Sequence, residues 1–574
     1  MNIKPIIVKS YLESLTEESE LNKIFPILLT SLSFEILSKP TENKGLNEYG
    51  KDIVAVGKDE DGIKKCFYFE LKGGEDRHVT KTTFYKEYGI KQSLTESKYV
   101  NFSTSYQNFE KLPKKIVLVH NGVISGKIRE VYEGFVLQEF PQNGDIQYQR
   151  WGISHLTTLF TNSLFGAYLL TDQNSIKIFN KVLINLNASD TISEDFIRLI
   201  DDLFKKNEWK VYKGKLPRKW TLLFETLKLI AFIIYTEAKE YNNLDIAKRY
   251  LTHLVINYWH WILKNKLEEH SKIIKYFNNV LNFYLSILTE YFLRTLEIAR
   301  IKDGLSSESS GRYEQIGYTK RTFEYLEYLT FLLNIDLSKP EVNKTELNNI
   351  LSSVINSNSV SFRPLIDINS IPIINILNIY LNLNKKQSAI NYLQIVLNYI
   401  INGKEKYNRI PDANNSYENV IRFTITGEKS VYYSDSTSPL LAVLVEYTAI
   451  LNLEEDYNRV RKFIIENEID LGIFTPHHGK NSISKHLIEN TEDDLEEQLF
   501  SNPRFNDGYQ RDIRLYNNFN EDMNFEQFKF DYQKRINEFE YEYRTDKAGY
   551  PFLRNLAHIY FKTPYFPDKW RSVE

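Results

Sequence analysis

Two short apolar segments near the start of the chain, residues 50–56 (GKDIVAV) and 67–74 (FYFELKGG), most constrain its fold. Both are rich in β-branched and aromatic residues, a composition that favours strands. The sequence KDEDG at 58–62 separates them, and such a polar stretch ending in glycine favours a tight connection. The pattern therefore predicts a β-hairpin.

This hairpin would bring three charged side chains together. Because side chains alternate between the two faces of a strand, Glu70 and Lys72 share one face, while residues 67, 69 and 71 form an apolar layer on the other. Asp52 opens the facing strand, and an ordinary hairpin register brings its carboxylate beside Glu70. Two carboxylates and an ammonium are unfavourable to bury together unless something compensates them. A divalent cation would do so.

The predicted ligands are oxygen atoms. The carboxylates of Asp52 and Glu70 and the backbone carbonyl of Leu71 are hard ligands of the kind that Mg²⁺ takes in proteins. Lys72 would orient the attacking water or help to deprotonate it, or neutralise charge on a phosphate. The residues thus predict a site for Mg²⁺, or for Mn²⁺ in its place.

The arrangement Asp…Glu-x-Lys, preceded by Gly-x-Asp-Ile, resembles the PD-(D/E)XK nuclease superfamily, and within it the Mrr-like restriction endonucleases and their relatives in phage defence. The resemblance covers roughly residues 15–165 and rests on Gly50, Asp52, Glu70 and Lys72, and more weakly on Gln92. It implies a restriction-endonuclease-like mixed sheet flanked by helices, and Mg²⁺-dependent endonuclease activity with Gln92 among the catalytic residues. The alternative interpretation of Glu-x-Lys is a solvated cross-strand pair.

The order of the surrounding elements favours the catalytic interpretation. A helix is predicted at 17–32 with Thr16 as its N-cap, then a helix at 86–97, a buried strand at 114–125 and a closing element at 150–160. Such families often carry a further acid on the first helix. Glu20 is the candidate and Glu35 the second choice, since no motif fixes the position.

Beyond residue 165 the pattern becomes helical. Apolar residues recur at spacings of three and four over long segments, which predicts an α-solenoid or an irregular helical bundle. The predicted fold class is therefore α/β plus all-α. It comprises a nuclease-like domain at 1–165, a connector at 166–190 and a helical regulatory or partner-binding region at 191–574, with a subdivision near 405–430. The terminal segment 548–571 either covers the last helices, which is favoured, or meets a partner.

Composition excludes several classes of protein. One cysteine in 574 residues excludes an internal disulfide framework. No apolar stretch approaches the roughly 18 residues of a membrane span, and no export signal is evident, so we expect a cytoplasmic protein without membrane contact. The formal net charge of −3 means that any DNA-binding face is local. Tight binding is then compatible with an oligomer or with a partner protein.

The favoured function is a metal-dependent endonuclease that hydrolyses phosphodiester bonds, with DNA as the substrate. By analogy with nuclease effectors, we expect a role in bacterial antiviral defence or restriction beside a separately encoded ATPase or sensor protein. One alternative is a non-cleaving nucleic-acid or protein interaction module on a nuclease-like fold. Retention of Asp52, Glu70 and Lys72 argues against it. A metal-assisted hydrolase of small phosphate esters is the other.

Overall fold

The computed structural model describes residues 4–39, 50–207, 216–307, 314–474, 523–536, 543–565 and 568–571, with the short pieces 209–210, 212, 214, 499–500 and 512–513. The chain divides into two compact units. The first comprises Met1–Leu254 with Lys275–Val280, and the second comprises Val255–Ile274 with Leu281–Glu574.

A five-stranded mixed sheet forms the centre of the first unit. Its strands lie in chain order, with β1 antiparallel to β2, β2 antiparallel to β3, and β3, β4 and β5 parallel to one another. The strands are β1 (Glu35–Ser38), β2 (Ile53–Lys58), β3 (Lys64–Lys72), β4 (Lys114–His120) and β5 (Ile146–Trp151). The predicted hairpin is thus present as β2 and β3, and the predicted strand at 114–125 as β4.

Helices precede the sheet and connect its parallel strands. The segment predicted as one helix at 17–32 is a π-helical turn (Glu17–Leu21) followed by a helix, and the helix predicted at 86–97 begins four residues later. The helices of this part are α1 (Lys4–Ser14), α2 (Asn22–Ser31), α3 (Lys81–Tyr85), α4 (Ile90–Tyr99), α5 (Arg129–Glu139) and α6 (Ile153–Ser163).

Both faces of the sheet are buried. On one face Val54, Tyr68 and Leu118 belong to an apolar cluster that includes Ile90 and Leu94 of α4. On the other face, Phe69 lies 5.3 Å from Phe25 of α2, measured between ring centroids. Glu70 and Lys72 follow Tyr68 on the α4 face, so polar groups enter a largely apolar layer at the end of the strand.

A charged network closes the opposite end of the hairpin. Lys65 Nζ lies 2.5 Å from carboxylate oxygens of both Asp59 and Asp61, and 2.8 Å from the Gln147 side-chain oxygen. Lys115 Nζ also reaches Asp59, at 2.8 Å. The network ties the β2–β3 turn to β4 and β5. It helps to fix the register that places the residues at the far end.

The remaining helices of the first unit pack around α1. The helix α9 (Arg218–Glu240) contacts α1, which also contacts α6. Val8, Tyr11 and Leu12 of α1 are buried. The other helices here are α7 (Gln173–Ile184), α8 (Glu194–Lys205) and the first part of α10 (Leu244–Lys264), which ends in the second unit. The predicted boundaries at 165 and 190 therefore both fall within this unit.

The second unit is helical apart from one short strand pair, Ile473–Phe474 with Asp512–Ile513, among the residues that the structure describes. Helices adjacent in the chain pack on each other, as α14 does on α15 and α17 on α18. The helices are α11 (Ser271–Ala299), of which residues 275–280 belong to the first unit, α12 (Glu314–Leu337), α13 (Lys344–Ser357), α14 (Ser370–Asn382), α15 (Lys386–Tyr407), α16 (Tyr417–Thr426), α17 (Pro439–Leu451), α18 (Glu454–Glu466), α19 (Phe525–Ile536), α20 (Arg544–Lys547), α21 (Pro551–Phe561) and α22 (Asp568–Arg571).

The C-terminal segment covers helices of the second unit, as favoured from its sequence. Trp570 Nε1 donates to the Glu446 carboxylate of α17 at 2.7 Å, and Asn375 of α14 donates to the Tyr565 hydroxyl at 3.0 Å. The coarse prediction of a mixed α/β part followed by helices is confirmed. None of the described helices has both the length and the apolar character that crossing a membrane requires.

Candidate active site

The register of the hairpin brings Asp52 and Glu70 to the same place. β2 pairs with β3 so that Ile53 faces Phe69 and Val54 faces Tyr68. One further step of this antiparallel register sets Asp52 opposite Glu70, on the face of the sheet that α4 covers. Both residues are buried, with 8% and 2% of their surface exposed.

Gly50 explains why the motif begins with glycine. Its φ is +69°, a left-handed conformation that side chains disfavour, and a Cβ there would lie 2.0 Å from the Ser93 carbonyl oxygen of α4. The Ser97 hydroxyl donates to the Gly50 carbonyl. This close approach of backbone to α4 fixes the two residues that follow, Lys51 and Asp52.

Asp52 is a buried carboxyl group in a site that disfavours its charge. Its Oδ2 accepts a hydrogen bond from the Leu71 backbone N–H at 2.6 Å. Burial raises its pKa well above the usual range, and the negative charge of Glu70 raises it further, against the opposing charge of Lys72. The charge of Glu70 thus disfavours the ionised form of Asp52.

Lys72 lies between the carboxylates of Glu70 and Glu17. Its Nζ lies 2.6 Å from Glu70 Oε1 and 3.9 Å from Glu17 Oε1. Burial by itself would lower the lysine pKa, but the charges of Glu70, Glu17 and Asp52 outweigh it, so the pKa of Lys72 is raised. The side chain is therefore a fixed cation at neutral pH.

Glu17, in the π-helical turn before α2, is the acid that reaches Lys72. It was not among the acids predicted from the sequence. Its Oε2 accepts from the Gly73 backbone N–H at 3.2 Å. Burial raises its pKa to about 7, with Lys72 opposing and Glu70 adding to the shift. The acidic residues at the start of the predicted helix indicated that an acid of this segment could reach the site. The π-helical turn that selects Glu17 was not predicted.

The two acids proposed from the sequence lie elsewhere. The Glu20 carboxylate accepts from the Thr16 backbone N–H at 2.7 Å and from its hydroxyl at 2.8 Å, and it pairs with Arg218 of α9. It closes its own turn and ties that turn to α9. Glu35 is exposed at the start of β1, opposite Val56, rather than on a helix.

Gln92 lies on α4 and contacts the loop before that helix. Its Oε1 accepts from the Tyr88 backbone N–H at 2.9 Å, and its Nε2 donates to Glu96 at 2.8 Å. Neither contact is to Asp52, Glu70 or Lys72. The geometry gives Gln92 a role in positioning the loop.

Lys51 is a second lysine near the acids that the sequence did not single out. The residue is buried, and its Nζ lies 5.3 Å from the centroid of the Tyr68 ring. Burial lowers its pKa to about 8, partly offset by the charges of Glu96 and Glu70. In the sequence, its position between Gly50 and Asp52 indicates that it lies near the acids.

His120 ends β4, level with Lys72 in the parallel register. The residue is fully buried, and its Nδ1 lies 3.0 Å from the Arg77 carbonyl oxygen, to which it would donate. No hydrogen-bond partner for Nε2 is found among the residues that the structure describes. Burial lowers the pKa of His120 to about 4, so the ring is neutral at physiological pH. The sequence signal was its place at the end of a buried strand.

The donor set suits a hard cation by its chemistry. Asp52 and Glu70 carry carboxyl oxygens, and the Leu71 carbonyl directly follows Glu70 in the chain. Within the described part of the chain, no group of three or more His, Cys, Asp or Glu side chains has the arrangement of a metal site. The cation assignment therefore stays a prediction.

Comparisons of the chain with protein-family models, with curated proteins and with solved structures find no match. The resemblance to PD-(D/E)XK nucleases thus depends on the motif itself. The geometry of Asp52, Glu70 and Lys72 is compatible with it.

Proposed function

We propose that this protein is a metal-dependent nuclease that hydrolyses phosphodiester bonds, with DNA as the favoured substrate. The observation that carries the proposal is the pair of buried acids Asp52 and Glu70, with the partly buried Lys72 beside them, at one end of the β2–β3 hairpin. Carboxylates are rarely buried unless they are paired or bind metal. A solvated cross-strand pair would leave them exposed, so it does not account for this group.

Asp52, Glu70 and the Leu71 carbonyl are the residues that would hold Mg²⁺ or Mn²⁺. Such an ion, when bound, stabilises developing charge on phosphate oxygens and activates water. The protein's own contribution is a rigid pair of acids. The Leu71 N–H holds Asp52 in place at 2.6 Å, and Lys72 holds Glu70 at 2.6 Å.

Lys72 acts in this proposal as a fixed positive charge. Because its pKa is raised by the surrounding carboxylates, it keeps its proton at neutral pH. A protonated ammonium donates hydrogen bonds to a phosphate oxygen and stabilises negative charge in the transition state. This favours phosphate stabilisation over the deprotonation of water among the roles predicted for it.

Glu17 is suited to accept a proton. A general base works best when its pKa lies near the working pH, and the pKa of Glu17 is raised to about 7. Its Oε1 lies 3.9 Å from Lys72 Nζ. In this role the Glu17 carboxylate takes the proton of the attacking water while Lys72 faces the phosphate.

The biological setting is proposed from the motif's resemblance alone. It comprises antiviral defence or restriction and a separately encoded ATPase or sensor protein that the helical part recruits. The net charge of −3 means that any basic face is local, which is compatible with a partner or an oligomer that adds phosphate contacts.

One observation favours the alternative of a non-cleaving interaction module. Lys72 already pairs with Glu70 at 2.6 Å, which compensates one carboxylate without a cation. In that case the hairpin end would be a structural ion pair, and nucleic acid or protein would bind elsewhere. Metal binding separates the two proposals.

The decisive experiment measures both cutting and metal binding. Plasmid, linear duplex and single-stranded DNA are incubated with the full chain in Mg²⁺, in Mn²⁺ and in chelator, and Mn²⁺ binding is measured by calorimetry without DNA. We expect cutting only with metal, and loss of both cutting and Mn²⁺ binding in Asp52→Asn and Glu70→Gln. Lys72→Met should stop cutting while leaving Mn²⁺ binding in place, because Lys72 is no metal ligand.

Matched controls are the same isosteric changes at the exposed acids Asp145 and Glu110. Asp145→Asn and Glu110→Gln should cut as the unchanged protein does. Undiminished cutting in chelator would overturn the metal assignment. Absence of both cutting and Mn²⁺ binding in the unchanged protein would favour the interaction module.

A further inference from the structure

A surface groove lies where α3 leads into α4. Its volume is about 460 Å³, and Tyr85, Lys86, Lys91, Gln92 and Glu96 contribute to its lining. We call it the α3–α4 groove. It is built by one continuous stretch of the first unit.

The loop that continues from Glu87 of the groove lining into α4 presents an aromatic ring to solvent at a conformational cost. Tyr88 is 71% exposed and has a φ of +54°, in the left-handed region that bulky residues rarely adopt. Gln92 stabilises this conformation by accepting the Tyr88 N–H at 2.9 Å. Gly89 follows, and a Cβ there would lie 2.7 Å from the Lys86 carbonyl oxygen. Held backbone strain of this kind clusters at binding and catalytic sites.

A second tyrosine is exposed and held in the same region. Tyr85 is 52% exposed, and its ring centroid lies 5.0 Å from that of Phe84 in an edge-to-face contact. Lys91 Nζ lies 5.5 Å from the Tyr85 ring centroid. A ring already ordered by its neighbours loses little freedom on binding, which favours stacking of a flat ligand.

The charges around these rings suit an anionic chain with flat bases. Lys81, Lys86 and Lys91 lie along this surface, with Lys86 2.5 Å from Asp76. Glu87 and Glu96 are also present, and Gln92 binds Glu96. Because acidic and basic side chains are interspersed on this surface, contacts to phosphates alone would not provide binding. The surface fits unpaired nucleotides, whose bases stack on aromatic rings while a few lysines meet the backbone.

The helix α4 contributes both to the lining of the groove and to the packing against Gly50. Ser93 and Ser97 of α4 contact Gly50, the residue that fixes Lys51 and Asp52. A strand bound in the groove therefore lies on the helix that packs against Gly50, two residues before Asp52.

We infer that the α3–α4 groove binds single-stranded nucleic acid next to the bond to be cut, with bases stacked on Tyr85 and Tyr88 and the backbone near Lys91. The inference rests on the proposed nuclease function and gives it a substrate class, a strand with unpaired bases. Gln92 is then a positioning residue that holds the Tyr88 loop.

Binding is tested in chelator, where no cutting is expected, by fluorescence anisotropy with a fluorescein-labelled thymidine oligonucleotide of about 12 nucleotides. Tyr85→Ala and Tyr88→Ala should each weaken binding about tenfold, since stacking on an aromatic ring contributes on this scale. Tyr85→Phe and Tyr88→Phe keep the ring and should bind as the unchanged protein does. Tyr99→Ala is the matched control, since Tyr99 is a 67% exposed tyrosine at the far end of α4 and does not line the groove.

The outcomes separate this inference from the proposed function. Selective loss in the two alanine variants, with unchanged melting temperatures, supports the groove even if no metal-dependent cutting is found. Affinity unchanged in both variants overturns it, even if Asp52→Asn abolishes cutting, and the exposed rings would then serve a partner of another class. A duplex competing as well as the single strand at equal nucleotide concentration would also overturn it.

Discussion

At the scale of single residues, the candidate site shows which features a sequence can specify. Strand side chains alternate with a period of two, so the shared face of Glu70 and Lys72 was predictable. The choice between Glu17 and Glu20 was not. The two are three residues apart on what appeared to be one regular helix, but they lie in a π-helical turn. That turn directs Glu17 to Lys72 and Glu20 to Thr16.

The raised pKa of Glu17 predicts a pH-dependent penalty to folding. Its folded pKa of about 7 exceeds the unfolded value of 4.5, so between these values the folded protein holds more protons. The free energy of unfolding therefore falls as pH rises through this window. In Glu17→Gln this contribution is absent, so the variant should gain stability relative to the unchanged protein from pH 4.5 to 7 and then level off.

Urea unfolding in chelator at several pH values measures this difference. Glu18→Gln changes an exposed acid in the same turn and is the matched control. A difference between Glu17→Gln and the unchanged protein that stays constant across the window would contradict the burial of Glu17 beside Lys72.

Alanine substitutions at Gly50 and Gly62 separate the energetic cost of backbone conformation from that of close packing. Both glycines have positive φ, +69° and +79°, but a Cβ at Gly50 would collide with Ser93 while a Cβ at Gly62 meets open space. Gly62→Ala should destabilise the protein by about 1–2 kcal/mol through conformation alone. Gly50→Ala should cost about 2–5 kcal/mol, because overpacking adds to it. Equal losses in urea unfolding would show that α4 does not pack closely on Gly50.

At the scale of elements, the order of strands and helices was predictable and several boundaries were not. The helix expected from residue 86 begins at Ile90, because Tyr88 takes a left-handed conformation and Gly89 stands before the first turn. Nothing in local periodicity indicates this. The helix α1 was not predicted, since its β-branched run Ile6–Val8 lacks a clear helical signal.

The C-terminal helix α22 is attached to α17 by a buried ion pair. Arg571 donates to the Glu446 carboxylate through Nε at 3.0 Å and Nη2 at 2.5 Å, and both side chains are almost fully buried. Arg571→Met should destabilise the second unit by about 3–5 kcal/mol, because it leaves the Glu446 charge buried without its guanidinium.

The double variant Glu446→Gln with Arg571→Met tests the cause. It removes both charges and keeps an acceptor for Trp570, so it should recover most of the lost stability. Thermal melting of the three proteins provides the comparison. If the double variant melts no higher than Arg571→Met, lost packing rather than an unpaired charge explains the loss.

At the scale of the whole molecule, compact units depend on long-range packing that a local pattern does not reveal. The helical periodicity that begins near residue 165 does not mark the end of a compact unit, because the first unit continues to Leu254. The reason lies in α1, whose buried residues Val8, Tyr11 and Leu12 belong to a helix that contacts both α6 and α9. Some 200 residues separate α1 from α9 in the chain.

This packing predicts how fragments of the chain behave. A fragment ending at residue 175 keeps the hairpin and α4 but lacks α9, so it uncovers apolar residues of α1 and leaves Glu20 without Arg218. It should melt without a sharp transition or aggregate, because large exposed apolar patches favour association. A fragment of residues 1–280 contains the whole first unit and should melt cooperatively.

Circular dichroism melts and gel filtration compare the two fragments. The variant Arg218→Ala in the longer fragment separates the contribution of the ion pair from that of the apolar contacts. If the shorter fragment melts as sharply and as high as the longer one, the sheet and its own helices fold alone and α9 is dispensable.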